Sequence, residues 1–484
     1  MTTPRRSLIP SVALCLAATT ICLTHAQKAH ASSIVFTPGD LVVTVEGDGS
    51  NVNNLPDSTY GDNQAAPLTL YEYSPTGTSS TSFVGSLQLP QTSSGNQYAI
   101  SGEYGSSSEG QLSLSSNGQY LTVAGYGVNA ATYNQNPGIY AIAGCTPTPA
   151  CTTALAQSTS LSTAANSVPR VVALISGNGS VDTSTALYNV FNGNNPRSVV
   201  TTDGSSFYIS GQGQSGDTTE GLFLAQKGAT SATAIDTAYD TRSVAIYNNQ
   251  LYISQDSKVG KGQLAYIAPV GSQNTLPTGA TTPSILPGLS TGSPKSAYPG
   301  TISLNGGNGN SVNGSSGQIY LSPETYFFAN ANTLYVADSG DPKAGGVGDG
   351  GLQKWSLQNG TWTLDYTLSA GLNLVSNGSA SGSSGLYGLT GKVVGQNVEL
   401  FATNYSLTDL GQTYLYGLSD TLSATSASQA SGESFTELEA APADTDFKGV
   451  AFAPTPVPLP GALPLLLSGL SVLGVSALRR RRTR

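Results

Sequence analysis

Arg197-Ser-Val-Val-Thr-Thr-Asp-Gly-Ser-Ser-Phe-Tyr-Ile-Ser210 is followed, 45 residues on, by Arg242-Ser-Val-Ala-Ile-Tyr-Asn-Asn-Gln-Leu-Tyr-Ile-Ser254. Each reads as a short strand, a turn of Gly or Asn, and a second strand that alternates around an aromatic residue. Gly and Asn accept the positive φ that tight hairpin turns need, so the unit is an antiparallel hairpin. The same unit recurs as Gln111-Leu-Ser-Leu-Ser-Ser-Asn-Gly before Gln119-Tyr-Leu-Thr-Val-Ala, and as Tyr326-Phe-Phe-Ala-Asn-Ala-Asn before Thr333-Leu-Tyr-Val-Ala-Asp. It returns as Leu386-Tyr-Gly-Leu-Thr-Gly before Val398-Glu-Leu-Phe-Ala-Thr.

Two further strands fit into each period, as Leu222-Phe-Leu-Ala and Ala234-Ile-Asp-Thr do after the first hairpin. A spacing near 45 with four strands predicts an all-β fold, a β-propeller of four-stranded blades. The last strand, Phe447-Lys-Gly-Val-Ala-Phe-Ala-Pro, lacks partners downstream. It finds them in the first strands, Asp40-Leu-Val-Val-Thr-Val-Glu, Leu68-Thr-Leu-Tyr-Glu-Tyr and Phe83-Val-Gly-Ser-Leu-Gln-Leu, which ties the ends together and leaves no open sheet edge at the seam. The count is six blades, or seven if residues 129–190 hold another. Two insertions are expected, at about 129–168 and 270–322, the latter rich in Gly, Ser, Asn and Pro. A β-solenoid or a two-sheet sandwich is the structural alternative.

Composition agrees with a loop-rich β protein. The 484 residues include 57 Gly, 24 Tyr and one Met, and only 10% are charged. Residues 1–31 read as a signal peptide: Arg5 and Arg6, an apolar stretch from Leu8 to Leu23, and small residues before cleavage after Ala31. Residues 32–456 then form the ectodomain. Removing Arg5, Arg6, Lys28 and five C-terminal arginines from 19 basic residues leaves 11 against 28 acidic ones, a net charge of −17. Such a surface repels nucleic acid and anionic lipid. Cys145 and Cys151, in CTPTPAC, are expected to close a small disulfide loop in an oxidising compartment.

The C-terminus has three parts: Val457-Pro458-Leu459-Pro460-Gly461, an uncharged apolar run over 462–478, and Arg479, Arg480, Arg481 and Arg482 within the tail 479–484. Seventeen helical residues make about 25 Å, enough to cross a locally thinned bilayer, and the arginines stay cytoplasmic. A plain membrane anchor explains the last two parts. The Pro motif makes the whole resemble the VPLPA-type variant of the PEP-CTERM sorting signal, with Gly461 where the variant has Ala. The resemblance implies a Gram-negative bacterium, an exosortase as partner, transient anchoring in the inner membrane, and delivery to the cell surface or an exopolysaccharide matrix.

Within the ectodomain, Leu334-Tyr-Val-Ala-Asp-Ser-Gly with Leu352-Gln-Lys-Trp-Ser resembles one blade of the NHL-type propeller repeat. The insert Asp341-Pro-Lys-Ala-Gly-Gly-Val-Gly-Asp-Gly-Gly breaks that pattern, so no NHL binding function carries over.

His25 and His30 are the only histidines, and both precede the cleavage site. A mature chain without imidazole has no Ser-His-Asp triad, Cys-His pair or His-liganded zinc. Acidic Gly-rich stretches remain: Glu46, Asp48, Asp57 and Asp62, and Asp338, Asp341 and Asp349. Oxygen ligands on Gly-rich turns suit Ca²⁺, the only cofactor in view, and equally suit ordinary solvated turns. Tyrosines, Trp355 and Trp362 serve either as a sugar-stacking platform or as packing between blades. Two functions follow: a non-enzymatic surface or matrix protein binding exopolysaccharide or another protein, or a carbohydrate-active or lactonase-like enzyme using carboxylates around Ca²⁺.

Overall fold

Runs such as Leu41-Val-Val-Thr-Val-Glu are apolar on both faces, which suits strands packed on two sides. The computed structural model describes residues 34–47, 60–144, 154–214, 217–256, 264–291, 304–305, 321–340, 350–375 and 382–456. Among them the chain is all-β. β1 (Leu41–Glu46), β2 (Ala65–Thr76) and β3 (Ser80–Gln88) pair in antiparallel succession, and the short β4 (Ser101–Glu103) pairs with the start of β2. β5 (Ser113–Leu114), β6 (Tyr120–Tyr126), β7 (Arg170–Ser176) and β8 (Val181–Leu187) form a second antiparallel group. The third comprises β9 (Pro196–Val200), β10 (Ser206–Gly211), β11 (Gly221–Gln226) and β12 (Thr233–Asp236). β13 (Val244–Tyr247), β14 (Gln250–Gln255), β15 (Ala265–Val270) and β16 (Ser290–Thr291) make the fourth.

After β17 (Leu304–Asn305), the fifth group runs β18 (Pro323–Asn330), β19 (Thr333–Asp338), β20 (Gly351–Gln358) and β21 (Thr361–Leu368), with β17 alongside β21. The sixth is β22 (Ser383–Val394), β23 (Asn397–Ser406), β24 (Tyr414–Thr421) and β25 (Thr436–Ala440). β26 (Asp446–Phe452) then returns to β1, Val43 opposite Val450 and Leu41 opposite Phe452, and completes the first group as β26-β1-β2-β3. The last strand thus has the partners expected from the sequence. The turns carry the expected residues: Asn248-Asn249 (φ 47° and 56°) joins β13 to β14, and Asn359-Gly360 (φ 51° and 79°) joins β20 to β21.

Hydrophobic side chains collect between successive groups. Leu68 and Leu70 meet Leu121 and Val171; Val172 and Phe191 meet Phe207 and Phe223; Val200 and Tyr208 meet Leu251 and Tyr266. Ile267 meets Phe328 and Trp355; Tyr335 and Tyr366 meet Leu400 and Tyr416; Leu41 and Tyr73 meet Phe401 and Leu415. That last cluster joins the sixth group to the first.

Antiparallel order fixes which connections share an end. The first strand of every group begins where the second ends and the third begins, and the chain passes to the next group there. We call this end the rim. It receives the connections 47–64, 127–169, 256–264, 339–350 and 369–382, while 271–289 and 422–435 lie at the opposite end. The 127–169 connection carries α1 (Ala130–Gln135), capped by Asn129, whose side chain accepts from Thr132 N at 2.7 Å. The opposite, turn end has the two-residue hairpins 248–249, 331–332, 359–360 and 395–396. Both limits of the described core lie at the turn end: Phe36 N donates to Gly177 O, and Thr455 N to Gly118 O.

Of the segment 270–322, residues 271–289 pack against the neighbouring sheets. Tyr208 Oη donates to Pro277 O, Thr281 N to Ile235 O and Trp362 N to Pro287 O. No helix among the described residues is long and apolar enough to cross a membrane.

Candidate functional site

Toward the rim, within or up to four residues before the first strand of each group, stands one residue that is charged or phenolic. Glu109, Arg197, Arg242, Glu324, Tyr387 and Lys448 hold these positions, and each is followed by a small residue: Gly110, Ser198, Ser243, Thr325, Gly388 and Gly449. The small residue is required by close backbone approach. A Cβ on Gly449 would stand 2.1 Å from Leu112 N, and one on Gly388 would stand 2.9 Å from Lys448 O.

A recurring hydroxyl contact fixes several of these strands to their neighbours. Ser210 Oγ on β10 donates to Arg242 O (3.2 Å), Ser254 Oγ on β14 to Glu324 O (2.8 Å), and Thr403 Oγ1 on β23 to Lys448 O (2.5 Å). Thr325 Oγ1 donates to Tyr387 O, and Tyr387 Oη to Glu109 O at 2.7 Å. Thus the carbonyls of five of the six positions, all but Arg197, accept hydroxyl bonds from neighbouring groups, and the side chains converge.

Cations and carboxylates pair there. Arg197 Nη1 lies 3.1 Å from Asp240 Oδ2, and its Nη2 donates to Gln212 Oε1 at 2.9 Å. Arg242 spans Glu324 (3.1 Å) and Asp256 (3.5 Å). Lys448 Nζ lies 2.5 Å from Asp446 and 3.4 Å from Glu46. Burial opposes the charge on Lys448, yet Asp446 and Glu46 outweigh it and hold its pKa above the ordinary lysine value. Burial likewise opposes Arg242, and Glu324 and Asp256 overcome it. Arg197 is lowered by burial and then by Arg242 beside it.

Glu109 belongs to a second cluster reaching toward α1. Glu103 N donates to Glu109 Oε1 at 2.7 Å, Ala156 N donates to Glu103, and the Arg170 guanidinium lies 4.6 Å from the centre of the Tyr126 ring. Burial, with Glu109 adding to it, pushes the Glu103 carboxyl up to about 8. Burial pushes Glu109 to about 7 against the opposing Glu103 N–H bond. Glu46 is raised well above the ordinary range by burial, against the pull of Lys448.

Among the acidic residues singled out from the sequence, Glu46 enters this ring beside Lys448. Asp338 ties down backbone instead: its carboxylate accepts from Ser322 N (2.8 Å), Gly340 N (2.8 Å) and Gln353 Nε2 (2.7 Å). Asp48, Asp57, Asp341, Asp349, Cys145, Cys151, the 457–461 motif and Arg479 to Arg482 lie outside the described residues. Among the described residues no group of three or more His, Cys, Asp or Glu is arranged to hold a metal ion. Trp355 is wholly buried, its Nε1 donating to Gln353 Oε1 at 3.0 Å. Trp362 lines a groove at the turn end.

The ring itself is not among the residues singled out from the sequence, apart from Glu46 beside it. Only Arg197 and Arg242 match in identity. The signal that would have found the rest is one long polar residue before a Gly, Ser or Thr, once per group in or shortly before its first strand.

No model of a known protein family matches the chain, and no curated protein does either. Among solved structures it is similar to apo AztD from Citrobacter koseri, at 9% identity over 86% of this chain and 100% of that one, with a TM-score of 0.24. A second Citrobacter koseri AztD structure matches at 9% identity over 87% and 100%, TM-score 0.26. The hemagglutinin-neuraminidase ectodomain of parainfluenza virus 5 matches at 9% over 84% of this chain and 66% of that one, TM-score 0.23. These likenesses carry no functional assignment.

Proposed function

We propose that the chain is an exported binding or structural module of the cell surface or extracellular matrix, built as a closed six-bladed propeller, and not an enzyme. The observation that carries this reading is the pairing at the rim. The carboxylates of Asp240, Glu324, Asp256 and Asp446 each face a cation supplied by Arg197, Arg242 or Lys448. Carboxylates neutralised in this way fix strands to one another, whereas a hydrolase needs an acid and a base facing its substrate. Closure is supported by the six apolar clusters, one at each boundary between groups, including sixth to first.

Export rests on the signal-like residues 1–31 and on the PEP-CTERM-like order of 457–461, 462–478 and 479–484, read as a substrate of an exosortase-type system. The chain enters and leaves its described core at the turn end. A tail held in the inner membrane would therefore present the rim and its long connections outward. The ligand class in this reading is an exopolysaccharide or another surface protein.

Labelling intact source cells with a membrane-impermeant amine reagent tests it. Labelled protein in the surface or matrix fraction is expected; protein confined to the cytosol would overturn it. The second reading is a Ca²⁺-dependent carbohydrate-active or lactonase-like enzyme, favoured only by the acidic Gly-rich connections 47–64 and 339–350. Thermal melting with and without Ca²⁺ separates the two: a rise in Tm with Ca²⁺ favours the enzyme, and an unchanged Tm favours the module.

A further inference from the structure

We propose that the aromatic groove at the turn end, between the fourth and fifth groups, binds a neutral saccharide. This deepens the reading of the chain as a glycan-associated module and rests on it. The groove has a volume of about 360 Å³, and its floor and wall are the rings of Tyr247, Tyr252, Phe328 and Trp362. Tyr247 stacks on Phe328 with centroids 4.7 Å apart and planes 16° from parallel; Tyr252 lies 4.8 Å and Trp362 6.2 Å from the same ring. Tyr247 and Tyr252 are partly exposed, so their rings offer apolar surface edged by a hydroxyl.

The rest of the lining is uncharged. Asn248, Gln273 and Asn274 are exposed amides at its border, and no Asp, Glu, Lys or Arg is among the lining residues. On a chain with this acidic excess, a charge-free groove selects against ionic ligands. Aromatic surface beside amide donors and acceptors matches a sugar ring, whose C–H face is apolar and whose edge is hydroxylated. A peptide strand would need an unpaired sheet edge, and the groove is bordered by hairpin tips whose strands are already paired.

The walls are fixed before any ligand arrives. Gln250 Nε2 donates to Val270 O at 2.8 Å, and Asn249 Nδ2 to Asn274 O at 2.8 Å, binding the β13–β14 turn to the loop after β15. That loop is in turn held by Trp362 N to Pro287 O at 2.8 Å and Ser284 N to Pro269 O at 2.9 Å. A preorganised wall loses little entropy on binding.

The test is native affinity electrophoresis of the purified full chain in gels containing dextran, mannan, galactan or mixed-linkage glucan, with alginate as the anionic comparison. Retardation by at least one neutral polymer is expected. Tyr247→Ala and Tyr252→Ala should each weaken it at least tenfold while the chain stays folded, with a lower Tm from the lost contact with Phe328. Should either variant fail to fold, Asn274→Asp, which puts a charge on an exposed border residue, should weaken it instead. Trp355→Phe leaves Trp362 as the sole tryptophan, and its emission should shift with the same midpoint as the retardation. Retardation unaffected by these variants, or by alginate alone, overturns the groove while leaving the binding-module reading intact. Retardation by no polysaccharide overturns the groove and the glycan part of that reading together.

Discussion

Glu103 and Glu109 hold protons into the neutral range because burial disfavours their charge more than their hydrogen bonds favour it. A carboxyl whose folded pKa is raised stabilises the fold fully below the unfolded value of about 4.3, and that contribution is lost as pH rises through the folded value. We therefore expect the Tm to fall as pH rises from about 5 through 7 to 8, and Glu103→Gln with Glu109→Gln to flatten the decline. Equal slopes in the variant and the native chain would contradict the assignment. A second buried group lies between the fifth and sixth groups, where Lys354 Nζ is 2.6 Å from Asp420 and the Tyr335 and Tyr366 hydroxyls donate to the same carboxylate. Removing one partner leaves the other uncompensated, so Asp420→Asn should cost about 3–5 kcal/mol in denaturant unfolding, and Lys354→Met with Asp420→Leu should recover much of it. None of these pairings was legible in the sequence. Glu103 meets Ala156, and Lys354 meets Asp420, across connections whose course no local pattern specifies.

Hairpins were the most legible elements, because their turn residues and period-2 strands are local signals. Asn248-Asn249 sits where the pattern placed it, with the positive φ that selects Asn, and Asn359-Gly360 makes a turn of the same kind. The return of β26 to β1 was legible for a different reason: a strand with no partner downstream must pair with one upstream. Gly449 lets β26 lie close against the start of the second group, since a Cβ there would meet the backbone of Gln111 and Leu112. Gly449→Val forces a side chain into that contact and should destabilise the chain by about 1–3 kcal/mol in chemical denaturation. A change within about 0.5 kcal/mol would mean that the strands are not so closely apposed. Less legible was the packing of residues 271–289, whose Pro, Thr and Gly content reads as a loose loop. Its Pro277 and Pro287 carbonyls, accepting from Tyr208 Oη and Trp362 N, and its Thr281 and Ser284 N–H groups, donating to Ile235 O and Pro269 O, anchor it instead.

For the whole molecule, chain order alone divides the two ends. The charged ring lies at the rim, while the two-residue hairpins, the aromatic groove with its 271–289 wall and both limits of the described core gather at the turn end. The repeat made the strand grouping readable, but convergence of Glu109, Arg197, Arg242, Glu324, Tyr387 and Lys448 was not, because six unlike side chains share only a position. Export and sorting rest on the two termini, so the measurement that tests the account most directly is the mass of the C-terminal peptide of the native protein, taken from surface and membrane fractions of the source cells. The account predicts a terminus at or near Val457 to Gly461, with the apolar run and arginines removed. Mature protein still ending at Arg484 would contradict sorting and leave a permanent membrane anchor in its place.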